Sequence, residues 1–101
     1  MRVAIFGLGY VGCVSAACFA EMGHEVTGVD VNPLKIEMIN QGQSPIVERG
    51  IGRLTAKAVS MGRLRATTDA GEAVKASEVS LICVGTPSRD NGGLALRYIR
   101  L

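Results

Sequence analysis

With 101 residues and three isolated cysteines, the chain has room for one small domain but not for two cores or a disulfide framework. A formal net charge of +2, with basic residues scattered rather than grouped, excludes both a nucleic-acid stripe and a polybasic membrane patch. Cys13, Cys18 and Cys83 sit in apolar runs and never as C-x-x-C. They read as buried, reduced thiols rather than zinc ligands.

The chain opens with a short apolar strand, Arg2–Phe6, that runs into Gly7-Leu-Gly-Tyr-Val-Gly12 and then a helical stretch from about Tyr10 to Met22, which Gly23 ends. Each glycine has a steric role in such a turn. Gly7 allows a sharp reversal, Gly9 lets the backbone approach a pyrophosphate, and Gly12 lets the helix pack close to the strand. The free N–H groups of the first helical turn would hold the anion without a basic side chain, which suits Leu8, Tyr10 and Val11 between the glycines. Read as a secretory leader, this N-terminus fails because three glycines interrupt the apolar stretch. Met1 is expected to be the true start of a cytoplasmic protein.

A second strand follows at Glu25–Val29 and ends at Asp30, 21 residues after Gly9. A carboxylate there can accept both hydrogen bonds of an adenosine ribose diol and would repel a 2′-phosphate. Val31 and Asn32 offer no arginine to offset that repulsion, so NAD is favoured over NADP. His24, in the turn before this strand, reads as a surface residue.

Asn32 and Pro33 open the next helix, whose apolar side is expected to carry Leu34, Ile36, Met38 and Ile39, and Gly42 closes it. After a loop over Gln43–Gly50, the spacing of Ile51, Leu54, Ala58 and Met61 predicts a helix stopped by Gly62. Arg63–Thr67 alternates like a short edge strand, and Asp69 with Glu72 resembles a capping pair for a helix to about Ala76. The continuous apolar run Val79–Val84 suits a strand buried on both faces. The series β-α-β-α-α-β-α-β predicts an α/β fold, a Rossmann-like doubly wound parallel sheet of order 3-2-1-4 with helices on both faces.

Ile5–Gly12, Gly23-His-Glu-Val26, Gly28-Val-Asp-Val31, Lys35-Ile36, Ser44-Pro-Ile-Val-Glu48, Gly62-Arg-Leu64, Thr67-Thr-Asp69 and Ile82-Cys-Val-Gly-Thr-Pro87 together resemble the N-terminal NAD-binding domain of the nucleotide-sugar 6-dehydrogenases. Ser44–Glu48 and Val84-Gly-Thr-Pro-Ser88 are more similar to the GDP-mannose branch of that family than to the UDP-glucose branch. The resemblance implies oxidation of a sugar C6 alcohol to a carboxylate in two steps, with two NAD consumed, for polysaccharide synthesis. It also implies a homo-oligomeric complete enzyme. By position it assigns cofactor contacts to Tyr10, Val11, Asp30, Lys35 and Thr86, beside Gly7, Gly9 and Gly12. UDP-glucose oxidation, a non-catalytic NAD-binding fragment and another dehydrogenase with a similar first domain are the alternatives.

The chain also departs from the family pattern. Glu48 is followed by Arg49-Gly-Ile51 where the family usually has Pro-Gly-Leu, so no role is assigned to this loop. None of the three cysteines matches the family nucleophile, and no catalytic residue or metal ligand is assigned. The chain reads as a partial cofactor domain, lacking strands five and six and the central and sugar-nucleotide domains. On that reading it is inactive alone, and the open edge of Val79–Val84 predicts self-association.

Overall fold

The computed structural model describes residues 1–83 and the backbone of residues 84–85 and of the strand Leu94–Arg100. The elements in chain order are β1 (Arg2–Phe6), α1 (Tyr10–Glu21), β2 (Glu25–Val29), α2 (Pro33–Asn40), α3 (Ile51–Ser60), β3 (Leu64–Thr67), α4 (Ala70–Lys75), β4 (Val79–Gly85) and β5 (Leu94–Arg100). One sheet of order β3-β2-β1-β4-β5 contains the five strands. Its first four strands are parallel, in the expected order 3-2-1-4, and β3 lies at the edge.

The two faces of the sheet follow from strand alternation. Val3 and Ile5 of β1, Val26 of β2, Leu64 and Ala66 of β3, and Leu81 and Cys83 of β4 share one core with Ala16 and Ala20 of α1, Ile39 of α2 and Ala58 of α3. Ala4 and Val29 point the other way and pack with Ala73 of α4, flanked by Phe6. The helices before β3 therefore cover one face, and the helix between β3 and β4 covers the other. Chain direction diverges at β1, which lies between β2 and β4, and this is the position at which doubly wound sheets open a crevice beyond their strand ends.

Local chemistry explains most boundaries. Asn32 caps α2 by accepting from Leu34 N at 2.9 Å, with Pro33 as the first helical residue. Asp69 caps α4 by accepting from Glu72 N at 3.0 Å. The expected reciprocal half of that capping box is missing, because the Glu72 carboxylate turns to Arg65 instead and Asp69 N donates to Thr67 Oγ1. The exposed edge of β3 is blocked by Asn40, whose side-chain amide both donates to Ala66 O (2.9 Å) and accepts from Ala66 N (2.8 Å).

Several expectations are corrected. Leu34 is exposed, because helix phase directs Ile36 and Ile39 to the core and leaves the first turn of α2 over solvent. Met61 is also exposed, since it caps α3 rather than continuing its apolar stripe. Cys18 lies on the outer side of α1 and is exposed, whereas Cys13 and Cys83 are buried as anticipated. His24 is half-buried, with its ring set edge-on to Phe19 at a centroid distance of 6.1 Å. The outer edge of β4 is not open: β5 pairs with it antiparallel from Val79↔Arg100 to Gly85↔Leu94. The alternating stretch Leu94-Ala-Leu-Arg-Tyr-Ile carries that strand, so the sheet edge on this side belongs to β5 and not to β4 as expected.

Candidate functional site

The glycine turn lies at the C-terminal end of β1, beside the end of β2. Gly7 adopts φ +97°, a left-handed conformation that side chains disfavour, and its N–H donates to Val29 O at 2.8 Å. A Cβ placed on Gly12 would stand 1.8 Å from Gly7 O, so that glycine permits the close fit of α1 against the turn. A Cβ on Gly9 would meet nothing within 4 Å. The space beside Gly9 is therefore open, as close approach by a ligand requires.

α1 starts here without a capping side chain and with no acidic residue in its first turn. Cys13 N is the first to bond back into the helix, to Gly9 O at 2.9 Å, so the N–H groups of Tyr10, Val11 and Gly12 have no acceptor within it. These aligned donors, together with the positive end of the helix dipole, suit a phosphate.

Asp30 sits at the end of β2 with its side chain 13% exposed. Its Oδ2 accepts from Leu8 N at 2.8 Å, and its Oδ1 accepts from Asn32 N at 3.0 Å. Burial alone would raise the carboxyl pKa. The N–H groups of Leu8 and Asn32, the nearby Lys35 ammonium and Val31 N–H outweigh it and hold Asp30 below the usual carboxylate range. Lys35 Nζ lies 3.9 Å from Oδ2 and is partly exposed. Each carboxylate oxygen keeps a second lone pair, so Asp30 can still accept from a diol while it braces the turn. A cleft of about 350 Å³ opens beside it, lined by Phe6, Gly7, Asp30, Val31 and Thr68 among others, with Val31 almost wholly exposed at its rim.

Of the residues singled out in the sequence, the fold brings Gly7, Gly9, Tyr10, Val11, Gly12, Asp30 and Lys35 to this one end of the sheet. Thr86 lies outside the described residues. Two contributions were not anticipated. Leu8 is fully buried and packs over Gly28, where a Cβ would come within 2.9 Å of Leu8 Cδ2. Gly28, two residues before Asp30, was the available sign that something large presses on β2 there. The second is Glu48, whose carboxylate accepts from the Tyr10 hydroxyl.

Cys13 is close to the turn but chemically quiet. Its thiol donates to Leu8 O at 3.4 Å, and its pKa is pushed up to about 11, chiefly by burial. Among the described residues, no group of three or more His, Cys, Asp or Glu side chains could hold a metal ion, and no helix is long and apolar enough to cross a membrane.

Residues 1–101 match the UDP-glucose/GDP-mannose dehydrogenase family over its NAD-binding domain. A GDP-mannose 6-dehydrogenase of Azotobacter vinelandii is 62% identical over 99 residues, which is 98% of this chain and 23% of the relative. A UDP-glucose 6-dehydrogenase of Rhizobium meliloti is 48% identical over 100 residues, again 98% of this chain and 23% of the relative. Among solved structures, the ternary complex of a GDP-mannose dehydrogenase from Pseudomonas aeruginosa superposes with a TM-score of 0.86 at 58% identity, covering 94% of this chain and 22% of that one. The chain thus spans less than a quarter of the length of the curated relatives it matches.

Proposed function

We propose, given that this chain belongs to the UDP-glucose/GDP-mannose dehydrogenase family through its NAD-binding domain, that it is the cofactor-holding part of a nucleotide-sugar 6-dehydrogenase. The activity proposed is oxidation of the C6 alcohol of GDP-mannose to the carboxylate of GDP-mannuronate, for polysaccharide synthesis. The observation that carries this reading is the junction of an uncapped α1 start, open space at Gly9 and the nearly buried carboxylate of Asp30 at one end of the sheet.

In this reading the N–H groups of Tyr10, Val11 and Gly12 hold the pyrophosphate, and Gly7 and Gly9 provide the turn and the room for it. Asp30 accepts from the adenosine ribose with its free lone pairs. Lys35, close to the same carboxylate, flanks the ribose, and Thr86 completes the contact set. NAD, when bound, supplies the hydride acceptor. A 2′-phosphate would face the Asp30 charge with the Lys35 ammonium already engaged, which disfavours NADP.

GDP-mannose is favoured over UDP-glucose by the higher identity to a GDP-mannose enzyme, 62% against 48%. The Ser44–Glu48 segment supports the same branch. The residues that act on the sugar are assigned to the remaining length of the relatives, and the complete enzyme is taken to be a homo-oligomer. Three free cysteines fit a reducing cytoplasmic setting.

Calorimetric titration tests the cofactor: NAD should bind at least about tenfold more tightly than NADP, a difference of about 1.4 kcal/mol. Equal affinities would overturn the role of Asp30. NADH formation by the complete protein carrying this domain should be faster with GDP-mannose than with UDP-glucose, and the reverse order would move it to the other branch.

A further inference from the structure

We propose that Tyr10 and Glu48 form a positioning pair through which the loop between α2 and α3 braces the outer edge of the glycine turn. The proposal rests on the reading of that turn as the pyrophosphate site. It gives a role to a loop that neither the sequence motifs nor the family match assigns one.

The turn is held on its inner side by backbone donors, Gly7 N to Val29 O and Leu8 N to Asp30 Oδ2. On its outer side, α1 has no capping side chain and Gly9 has no side chain at all. Over Gly9–Gly12, the Tyr10 hydroxyl makes the one side-chain hydrogen bond found among the described residues, donating to Glu48 Oε2. Two carboxylates therefore grip the same turn from two directions, one from the end of β2 and one from a loop 38 residues further along the chain.

Glu48 is itself well fixed. Its Oε1 accepts from Arg49 N at 3.1 Å, and its carbonyl accepts from Ile51 N at 3.2 Å where α3 begins. Two residues earlier, Ile46 packs against the main core, and Ser44 Oγ clamps it by accepting from Ile46 N and donating to Ile46 O. The loop thus presents Glu48 from an anchored base.

Packing does not account for the contact, since Tyr10 is more than half exposed. A carboxylate near an anion site opposes binding through its charge, so the benefit of the pair lies in order: a turn held on both sides loses less freedom when a diphosphate arrives. Glu48 also raises the pKa of the Tyr10 phenol, by its hydrogen bond first and its charge second.

The test is calorimetric titration of NAD into the protein and into Tyr10→Phe, Glu48→Ala, Glu48→Gln and the Tyr10→Phe/Glu48→Ala double variant, with thermal unfolding to verify that each is folded. Tyr10→Phe and Glu48→Ala should each weaken NAD about three- to tenfold, the loss of one half-exposed hydrogen bond. The double variant should be no weaker than either single, and Glu48→Gln, whose amide oxygen still accepts from the phenol, should keep the wild-type affinity or exceed it. Wild-type affinity in both single variants, or additive losses in the double, overturns the pair. Gly9→Val separates this from failure of the site itself: undiminished NAD binding by that variant overturns the pyrophosphate reading, whereas its loss alongside wild-type affinity in Tyr10→Phe overturns the pair alone.

Discussion

The Asp30 carboxylate accepts the Leu8 backbone N–H across 2.8 Å, joining the residue just after β2 to the middle of the glycine turn that follows β1. The residue proposed to accept from a ribose is thus at the same time a strut for the glycine turn. Its removal should therefore be felt in both binding and folding.

Asp30→Ala leaves the Leu8 N–H without its partner in a nearly buried position. This should cost about 1–3 kcal/mol of stability and weaken NAD by about ten- to a hundredfold. Chemical denaturation and calorimetric titration on the same preparation measure the two losses. A variant of unchanged stability would show that the Leu8 contact contributes nothing.

The pH dependence has a definite sign. The Asp30 pKa is lowered in the folded protein, so its ionised form contributes stability that is fully present above the unfolded value of about 3.9 and is lost as pH falls through the lower folded value. Denaturant midpoints of wild type and Asp30→Asn should differ at pH 6 and converge in strong acid. A gap that stays constant from pH 6 into acid would contradict the shift.

Gly9 and Gly12 should respond oppositely to a side chain. Gly12→Ala drives a Cβ to 1.8 Å from Gly7 O and should destabilise the fold by several kcal/mol, of the order seen for forced overpacking. Gly9→Val fills open space, so the fold should persist while NAD binding is lost. Thermal unfolding paired with titration distinguishes the two, and a Gly12→Ala variant with wild-type melting would refute the steric account.

Thiol chemistry offers an independent check on burial. At pH 8 a maleimide should modify Cys18, which is exposed, and spare Cys13, whose pKa of about 11 leaves roughly one molecule in a thousand as thiolate. Cys83, also buried and raised by desolvation, should likewise be spared. Peptide mapping by mass spectrometry reads the sites, and rapid labelling of Cys13 in native protein would show that the turn opens.

Replacing Asn40 with Ala removes both hydrogen bonds that cover Ala66 on the edge strand β3 and should cost about 1–3 kcal/mol. The uncovered edge should then favour association between molecules, visible as concentration-dependent light scattering.

Short-range patterns were legible in the sequence by itself. The glycine spacing from Gly7 to Gly12, the strand Glu25–Val29 before Asp30 and the Asn32–Pro33 helix start depend on local backbone preference and on side-chain periods of two or nearly four residues, and the alternation of strands and helices then selected the doubly wound order of the four parallel strands. The same period misled where an apolar residue fell off the buried stripe, as at Leu34, Met61 and Cys18. The tertiary structure alone decided which residues complete the site. The pairings Leu8–Asp30, Asn40–Ala66 and Tyr10–Glu48 join positions 22, 26 and 38 residues apart. No local propensity encodes such contacts, because they exist only once the crossovers have brought strand ends, helix starts and the α2–α3 loop to fixed places around one sheet.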